Sequence, residues 1–354
     1  MSPIVLVAAM AIRLGPMGPD APAREPQIAA NSSTTVLVYG AGHDIYFSSS
    51  RDGGKTFAAP VKVAETGILP LSRHRGPRVA LCGNTIVITA VAGKTLAGGA
   101  HAHGLPSDGD LLAWRSLDGG KTWSGGKAVN DVPASATEGL HALASDGRNT
   151  LFAVWLDKRG GTGTKLYSAR STDSGATWSK NAPVYESPGG SICECCHPSA
   201  AIGPAGEVVA MWRNSVQGCR DLYLATSRDG VHFAPPRKLG EGTWHLNACP
   251  MDGGGLAVSP SKIVTAWRRE SSVYIDEPGQ PERAIGNGKD VALALSGSRT
   301  YVAWVEGTSV ETWVDGKVET LSQAGAFPSL AALPGGGVLA AWEEDGAVEV
   351  RRLP

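Results

Sequence analysis

The chain has 354 residues, of which 42% are hydrophobic and 18% are charged, and its formal net charge is −1. This composition excludes an intrinsically disordered chain, and a charge balance near zero without a basic run argues against a nucleic-acid-binding protein. The 46 glycines and 23 prolines are spread along the whole sequence. Such a distribution favours many short β-strands joined by tight turns over long helices.

The first apolar segment covers residues 3–12 and permits two interpretations. Its length is that of the hydrophobic region of a signal peptide, with a cleavage site at 21–23, although no Lys or Arg precedes it. Alternatively, residues 11–14 form a strand that completes a sheet built from the other end of the chain. Residues 1–24 are therefore interpreted as a signal segment or a closing strand, and 25–354 as one domain. No apolar run reaches the ~18 residues that a membrane span needs.

An apolar run that ends in an aromatic residue recurs along the chain. Six copies end at Tyr39, Trp155, Trp212, Trp267, Trp304 and Trp342. The wide gap between the first two leaves room for one more copy, and residues 85–90 fit it. A second apolar strand precedes each copy and a third follows it, so the sequence predicts seven units of four strands. This repeat is typical of an all-β propeller, in which the units (blades) surround a central axis. Six blades are the alternative if the two short C-terminal units are irregular.

A recurring turn joins the third and fourth strands of the early blades. Its pattern is Ser-x-Asp-x-Gly-x-Thr followed by Trp or Phe, and it occurs at 50–57, 116–123 and 171–178, with a shortened copy at 227–233. The Asp carboxylate accepts hydrogen bonds within its own turn, glycine supplies a positive φ, and the aromatic ring packs between sheets. These turns are therefore interpreted as structural. They resemble the Asp boxes (BNR repeats) of the sialidase superfamily, which implies a sialidase-like β-propeller.

In a propeller, the connections between second and third strands and those between blades lie on one face, here called the site face. Histidines concentrate in the loops predicted there, namely His43, His74, His101, His103, His197 and His245. Arginines and carboxylates occur in the same loops. A single loop histidine has little meaning, but this co-location predicts a functional site on the site face.

The resemblance to sialidases implies a site that holds an acidic sugar through arginines, because guanidinium groups bind carboxylates in a bidentate manner. The residues matched to substrate binding are Arg75, His74, Arg213, Arg268, Arg269 and Trp244. The candidate catalytic residues are Asp157, Glu138 and His141. The family's F/Y-R-I-P motif and a nucleophilic Tyr in a late loop are absent. The resemblance thus implies a carbohydrate-active protein, an exo-acting glycosidase or a lyase that acts on acidic sugars, rather than an authentic sialidase.

A dense cysteine cluster permits a second interpretation. It comprises Cys193, Cys195, Cys196 and His197, with His245 and Cys249 one blade further on. Thiolate and imidazole donors suit copper or zinc, so one hypothesis is a Cu- or Zn-binding or redox propeller. One alternative is disulfide bonds, either from Cys193 or Cys195 to Cys249 across adjacent blades or between the vicinal Cys195 and Cys196. The other is a set of reduced thiols without chemical function.

Three functions are therefore compatible with the sequence. The first is an exported carbohydrate-active propeller that recognises an acidic glycan, the second is the metal-binding or redox propeller, and the third is a non-catalytic binding or scaffold propeller. The expected partner is a glycan or another small-molecule ligand, with no nucleic acid and no membrane span. The cysteines and the N-terminal apolar segment favour a secreted or periplasmic location.

Overall fold

The computed structural model describes residues 11–99 and 104–353. Within these residues, 28 β-strands form seven antiparallel sheets of four strands, and no helix is long and apolar enough to cross a membrane. The first strands of neighbouring sheets contact each other, so the sheets are the blades of a propeller around a central axis. The predicted seven-bladed all-β propeller is confirmed, and the six-bladed alternative is wrong.

The strands are numbered in chain order. β1 (Ile12–Leu14) precedes the first blade, which contains β2 (Arg24–Ala30), β3 (Thr35–Ala41), β4 (Asp44–Ser50) and β5 (Val61–Glu65). The second blade contains β6 (Arg78–Cys82), β7 (Thr85–Ala92), β8 (Asp110–Ser116) and β9 (Lys127–Ala128). The third contains β10 (His141–Ser145), β11 (Leu151–Asp157), β12 (Lys165–Ser171) and β13 (Ala182–Tyr185). The fourth contains β14 (Ser199–Ile202), β15 (Val208–Arg213), β16 (Leu222–Ser227) and β17 (Arg237–Lys238).

The remaining three blades have the same order of strands. The fifth contains β18 (Gly254–Val258), β19 (Ile263–Arg269), β20 (Ser272–Asp276) and β21 (Arg283–Asn287). The sixth contains β22 (Lys289–Ser296), β23 (Arg299–Glu306), β24 (Ser309–Val314) and β25 (Lys317–Ser322). The seventh contains β26 (Ala326–Ala332), β27 (Val338–Glu344) and β28 (Ala347–Leu353), and its fourth strand is β1.

The seventh blade combines strands from distant parts of the chain. β1 pairs antiparallel with β28, with Leu14 opposite Val348. The Arg13 guanidinium also donates to Glu349 Oε1 at 2.6 Å. This pairing closes the ring of blades. Residues 3–10 of the first apolar segment lie outside the described residues.

The second strand of each blade forms the core between neighbouring blades. Every residue of β3 and of β11 is buried. The aromatic residues that mark the repeat all lie in second strands and are at most 2% exposed: Tyr39, Trp155, Trp212, Trp267, Trp304 and Trp342. Burying one large apolar side chain contributes roughly 1.5–3 kcal/mol, so the repeated aromatic position supports the fold.

The repeated Ser-x-Asp turns lie on the face opposite the site face, where they stabilise the hairpins between third and fourth strands. In one copy, Ser116 Oγ donates to Asp118 Oδ1 at 2.8 Å, and Thr122 N donates to the same oxygen at 2.9 Å. The corresponding Ser–Asp hydrogen bond is present in the other copies, at Asp52, Asp173 and Asp229. Gly120 has a φ of +92°, and a Cβ there would lie 2.2 Å from the Phe47 ring. The turn therefore packs directly against the preceding blade.

Candidate functional site

Five ionisable side chains meet where the innermost strands begin on the site face. These residues, called the axial cluster, are Glu25, His74, His197, Asp252 and Asp290. Two of them lie near the start of an innermost strand, in β2 and β22, and the other three lie in the loops that lead into β6, β14 and β18. The propeller architecture thus gathers residues from five blades at one end of the axis.

Irregular backbone directs several of these side chains. Glu25, His74 and Asp290 have φ values of 54°, 65° and 58°, in the left-handed region that residues other than glycine rarely adopt. Phe327, at the start of β26, has a φ of 48°. The strand pairing shifts register beside three of these four residues, at the starts of β2, β22 and β26. Such β-bulges re-aim side chains, and backbone strain of this kind concentrates at functional sites.

His74 is the centre of the hydrogen-bonded part of the axial cluster. Its Nε2 lies 2.8 Å from Asp290 Oδ1, and its backbone N–H donates to Glu25 Oε1 at 2.9 Å. The His74 and His197 rings are tilted against each other with centroids 4.0 Å apart. His197 Nδ1 accepts the Gly253 N–H at 3.2 Å, which places the proton of a neutral His197 on Nε2. Both histidines are therefore held in defined orientations.

Asp252 differs from the other members because its carboxylate has no partner. The residue is 0% exposed, and neither carboxylate oxygen has a hydrogen-bond partner among the described residues. Donor atoms of Asp252, Asp290 and His74 all lie within 4.8 Å of one another. Two charged carboxylates at that distance repel by about 3 kcal/mol at an effective dielectric constant of ~20. The arrangement is electrostatically unfavourable for two ionised aspartates.

The pKa values of the axial cluster are shifted by burial and by its internal charges. Burial raises the pKa of Asp252 to about 6, with a further contribution from the Asp290 charge, and burial raises the pKa of Glu25 to about 8. For His74, burial opposes the charged form, but the hydrogen bond and charge of Asp290 outweigh it and raise the pKa. Burial lowers the pKa of His197 well below its usual value. Shifts of this kind concentrate at functional sites.

A cleft opens beside the axial cluster. Its volume is about 350 Å³, and its lining includes Arg24, Lys289, Asp290, Phe327 and Glu343. Arg24 Nη1 lies 2.9 Å from Glu343 Oε2, and Lys289 Nζ lies 3.7 Å from Asp290 Oδ2. The cleft, here called the axial cleft, therefore combines an aromatic ring with two pairs of opposite charges.

The histidines predicted from the sequence have different surroundings. His74 and His197 belong to the axial cluster, whereas His245 is exposed and its Nδ1 lies 3.5 Å from Cys219 Sγ. His101 and His103 lie outside the described residues. Glu25 and Asp290 of the axial cluster were not predicted as site residues. The same is true of Arg24, Lys289, Phe327 and Glu343 of the axial cleft.

Two of the predicted arginines are held around Trp244 by the protein itself. Arg213 is 1% exposed and donates to the backbone oxygens of Asp252, Arg220 and Arg268 at 2.9, 2.5 and 3.0 Å. The Trp244 ring is 5% exposed and lies 5.2 Å from both the Arg213 and the Arg268 guanidinium carbons. Its position is that of a packing residue between two arginines.

The other two predicted arginines form separate ion pairs. Arg75 Nη2 lies 3.7 Å from Glu138 Oε2, and Arg75 Nε donates to the Glu138 backbone oxygen at 2.6 Å. Lys158 Nζ lies 2.5 Å from Glu138 Oε1. Arg269 contacts both carboxylate oxygens of Glu282, at 3.0 and 2.6 Å. Neither arginine lines the axial cleft, so the structure does not bring the four predicted arginines together around one ligand.

Two of the candidate catalytic residues are fully buried. Asp157 Oδ1 accepts from Arg159 Nε and Asp157 Oδ2 from Trp155 Nε1, both at 2.8 Å. His141 Nε2 lies 3.0 Å from Thr89 Oγ1. Neither residue lines the axial cleft, and the third candidate, Glu138, is held in the ion pair described above.

The cysteine cluster contains a disulfide bond. Cys195 is bonded to Cys249, which links the loop before β14 to the loop before β18. Cys193 Sγ lies 2.9 Å from Cys196 Sγ and 3.7 Å from Cys195 Sγ, and all three sulfur-bearing residues are buried. Because a disulfide sulfur is no longer a thiolate donor, only Cys193 and Cys196 remain as thiols in the metal set predicted from the sequence. These two residues form a C-x-x-C pair.

Comparison with known proteins shows similarity of fold alone. The sequence matches no family model and no curated protein. Among solved structures, an α-L-arabinanase from Penicillium chrysogenum is 15% identical with a TM-score of 0.54, covering 87% of this chain and 97% of its own. The NanB sialidase from Streptococcus pneumoniae is 11% identical with a TM-score of 0.57, covering 97% of this chain and 70% of its own.

A third similar structure is a polysaccharide lyase. It is an ulvan lyase, 11% identical with a TM-score of 0.54, and the match covers 96% of this chain and 95% of the lyase. The arabinanase was solved with arabinobiose and the lyase with a disaccharide unit that contains glucuronic acid. The chain thus has the sialidase-like propeller fold that its sequence predicts. These three similar structures are carbohydrate-active enzymes.

Proposed function

We propose that this protein is a carbohydrate-active propeller that binds a sugar in the axial cleft. The observation that carries the proposal is the lining of that cleft, where Phe327 lies beside the carboxylates Asp290 and Glu343 and the cations Arg24 and Lys289. Aromatic rings pack against apolar ligand surfaces, while a few placed polar groups fix ligand orientation. The carbohydrate-active proteins of the same fold support this function.

For the reaction, we propose cleavage of a terminal sugar with Asp290 and Glu343 as the carboxyl pair. Glycosidases commonly act through two carboxyl groups that flank the scissile bond. Asp290 is oriented by His74, and Glu343 is oriented by Arg24 and by the Glu25 backbone N–H, which donates to Oε1 at 2.6 Å. A volume of about 350 Å³ is at the small end of ligand sites (~300–1,000 Å³), which fits a terminal residue better than a long internal segment.

An acidic glycan is the substrate class that fits the two cations of the axial cleft. Arg24 and Lys289 are paired with Glu343 and Asp290 in the free protein. A sugar carboxylate would take over one of these partners and leave the displaced carboxyl group free to act on the glycosidic bond. The four arginines predicted from the sequence are not needed for this contact.

The function is tested with matched neutral and uronic- or sialic-acid-terminated oligosaccharides. The protein is expected to release a terminal sugar, and product mass distinguishes hydrolysis, which adds water, from elimination, which does not. Asp290→Asn and Glu343→Gln should each lower kcat at least 100-fold, whereas Asp315→Asn makes the same charge change in a hairpin on the opposite face and should leave turnover unchanged. No binding or turnover of any oligosaccharide, or full turnover by both cleft variants, would refute the proposal.

We also propose that the protein is exported. Disulfide bonds persist in oxidising compartments, and Cys195–Cys249 is such a bond. Fractionation of cells that produce the full chain should place it in the periplasm or the medium with this bond formed. Recovery of reduced protein from the cytoplasm alone would contradict export.

Thiol redox chemistry is a second candidate function, favoured by the 2.9 Å distance between Cys193 and Cys196. The reaction would join their two sulfurs while a small-molecule disulfide takes up the two electrons and two protons as two thiols. Titration of the unfolded protein before and after treatment with oxidised glutathione should show two fewer thiols. An unchanged thiol count would exclude this function.

A further inference from the structure

The geometry of the axial cluster points to a metal site. We propose that His74, Asp252 and Asp290 bind one divalent transition-metal ion of the zinc or manganese class. This site is separate from the cysteines predicted as metal ligands. It shares Asp290 with the proposed glycan site, but the inference does not depend on the glycan proposal.

The spacing of the donor atoms suits one ion. One imidazole nitrogen of His74 and one carboxylate oxygen each from Asp252 and Asp290 lie within 4.8 Å of one another. Nitrogen and oxygen ligands bind zinc at about 2.0–2.2 Å, and in tetrahedral geometry two such ligands of one ion are about 3.3–3.6 Å apart. The three donors, which lie within 4.8 Å of one another, therefore need to approach each other by no more than about 1.5 Å.

Asp252 supplies the independent evidence for a cation. Its carboxylate is completely buried and neither oxygen has a hydrogen-bond partner among the described residues, although buried polar atoms are nearly always paired. The neighbouring Arg213 does not pair with it, because that guanidinium donates to the backbone oxygens of Asp252, Arg220 and Arg268. A second carboxylate, Asp290, is within 4.8 Å. A divalent ion between them would satisfy both carboxylates.

The surrounding backbone holds the donors in place. His74 and Asp290 have positive φ values, and so does Met251, which precedes Asp252. A Cβ at Gly253 would lie 2.2 Å from the His197 backbone oxygen, so only glycine permits this approach of the two loops. His197 Nδ1 also accepts the Gly253 N–H. His197 is thus a positioning residue for the loop that carries Asp252, as residues around metal ligands commonly are.

The donor set indicates which ions fit. Calcium and magnesium prefer oxygen ligands alone, whereas imidazole together with carboxylates suits zinc and manganese. Three protein ligands leave further coordination positions for water or a substrate oxygen. Asp290 also lines the axial cleft, so these positions would be accessible to a ligand bound there.

The test measures metal binding directly. The full chain is treated with a chelator, exchanged into metal-free buffer and titrated calorimetrically with ZnCl₂, MnCl₂, MgCl₂ and CaCl₂. We expect one site per chain that binds zinc or manganese at least tenfold more tightly than magnesium or calcium. Asp252→Asn should weaken this binding at least tenfold. Glu343→Gln, a buried carboxylate of the same cleft outside the donor set, should bind with the affinity of the unsubstituted chain.

A thermal melt separates loss of the site from loss of the fold. Without metal, Asp252→Asn should melt no lower than the unsubstituted chain, because asparagine removes a negative charge that lies beside the negative charge of Asp290. Zinc or manganese should raise the melting temperature of the unsubstituted chain and leave that of Asp252→Asn unchanged. Unchanged binding by Asp252→Asn, or no binding by the unsubstituted chain, would overturn the site. Binding lost in Cys193→Ala/Cys196→Ala but kept in Asp252→Asn would assign the ion to the cysteines and also overturn it.

The metal site and the proposed function can fail separately. Oligosaccharide binding is measured on the chelator-treated chain and on the metal-loaded chain. Stoichiometric metal without binding of any oligosaccharide would support the metal site and refute the glycan proposal. Oligosaccharide turnover by a chain that binds no zinc or manganese would support the glycan proposal and refute the metal site.

Discussion

The Cys195–Cys249 bond is expected to stabilise the fold by about 4 kcal/mol. Its two residues are 54 positions apart, and closing a loop of that length removes about 14 cal/mol/K of entropy from the unfolded chain, or about 4 kcal/mol at 25 °C. Unfolding entropy of about 2.1 cal/mol/K per residue gives about 740 cal/mol/K for 354 residues. Removing the bond should therefore lower Tm by about 5 °C.

The perturbation is the double substitution Cys195→Ala/Cys249→Ala. Replacing Cys249 alone would leave Cys195 as a thiol beside Cys193, 3.7 Å away, where a new bond can form. Urea unfolding at pH 7, followed by circular dichroism and by tryptophan fluorescence, measures the free energy of unfolding. The unsubstituted chain under reducing conditions should approach the stability of the double variant.

Cys219→Ala is the matched control, because Cys219 is a free, half-buried thiol on the same face. Its free energy of unfolding should change by less than about 1 kcal/mol, as is usual for substitutions outside the core. A loss below about 1 kcal/mol in the double variant, or an equal loss in the control, would refute the loop-closure argument.

Stability should also depend on a buried histidine, a turn glycine and the closing strand. Burial lowers the pKa of His141 from 6.5 to about 3, so the contribution of the neutral ring to stability is complete above pH 6.5 and is lost as pH falls towards 3. In His141→Gln the free energy of unfolding in urea should therefore depend less on pH over that range, and an unchanged pH dependence would contradict this. Gly120→Ala should lower the free energy of unfolding by about 1–3 kcal/mol more than Gly119→Ala, because both glycines have positive φ but only a Cβ at Gly120 would contact Phe47. Equal losses of stability in the two variants would contradict this contact. Leu14→Ala, in the buried part of β1, should lower the free energy of unfolding by about 2–5 kcal/mol, and a loss below about 1 kcal/mol would mean that β1 does not hold the ring closed.

The blade repeat was predictable because every blade buries the same strand between two neighbours. This requirement repeats along the chain, so Trp155 and Trp212 mark equivalent positions in successive blades, and both are buried in second strands. Turn chemistry is equally local, since the Asp118 hydrogen bonds are made within one turn. Local and repeated constraints leave a clear pattern in a sequence.

The axial cluster could be predicted only in part. The loop positions of His74 and His197 predicted that they lie on the site face. Glu25 and Asp290 instead lie within strands and reach the axis because of β-bulges, which no residue type at these positions predicts. An arginine such as Arg213 has the same sequence signature whether it binds a ligand or the backbone. Only the tertiary hydrogen bonds distinguish these roles.

The pairing of β1 with β28 has a consequence for synthesis of the chain. It joins positions 14 and 348, and at about 5–20 residues per second the ribosome needs roughly 20–70 s to make the intervening chain. During that time the earlier blades can form only an open arc, in which β1 lacks its partner strand β28 and the first blade lacks the seventh as a neighbour, and such unpaired strands and uncovered apolar faces invite aggregation. A nascent or truncated chain without β28 should therefore depend on chaperones and be sensitive to proteases, whereas in the completed ring β1 is paired with β28.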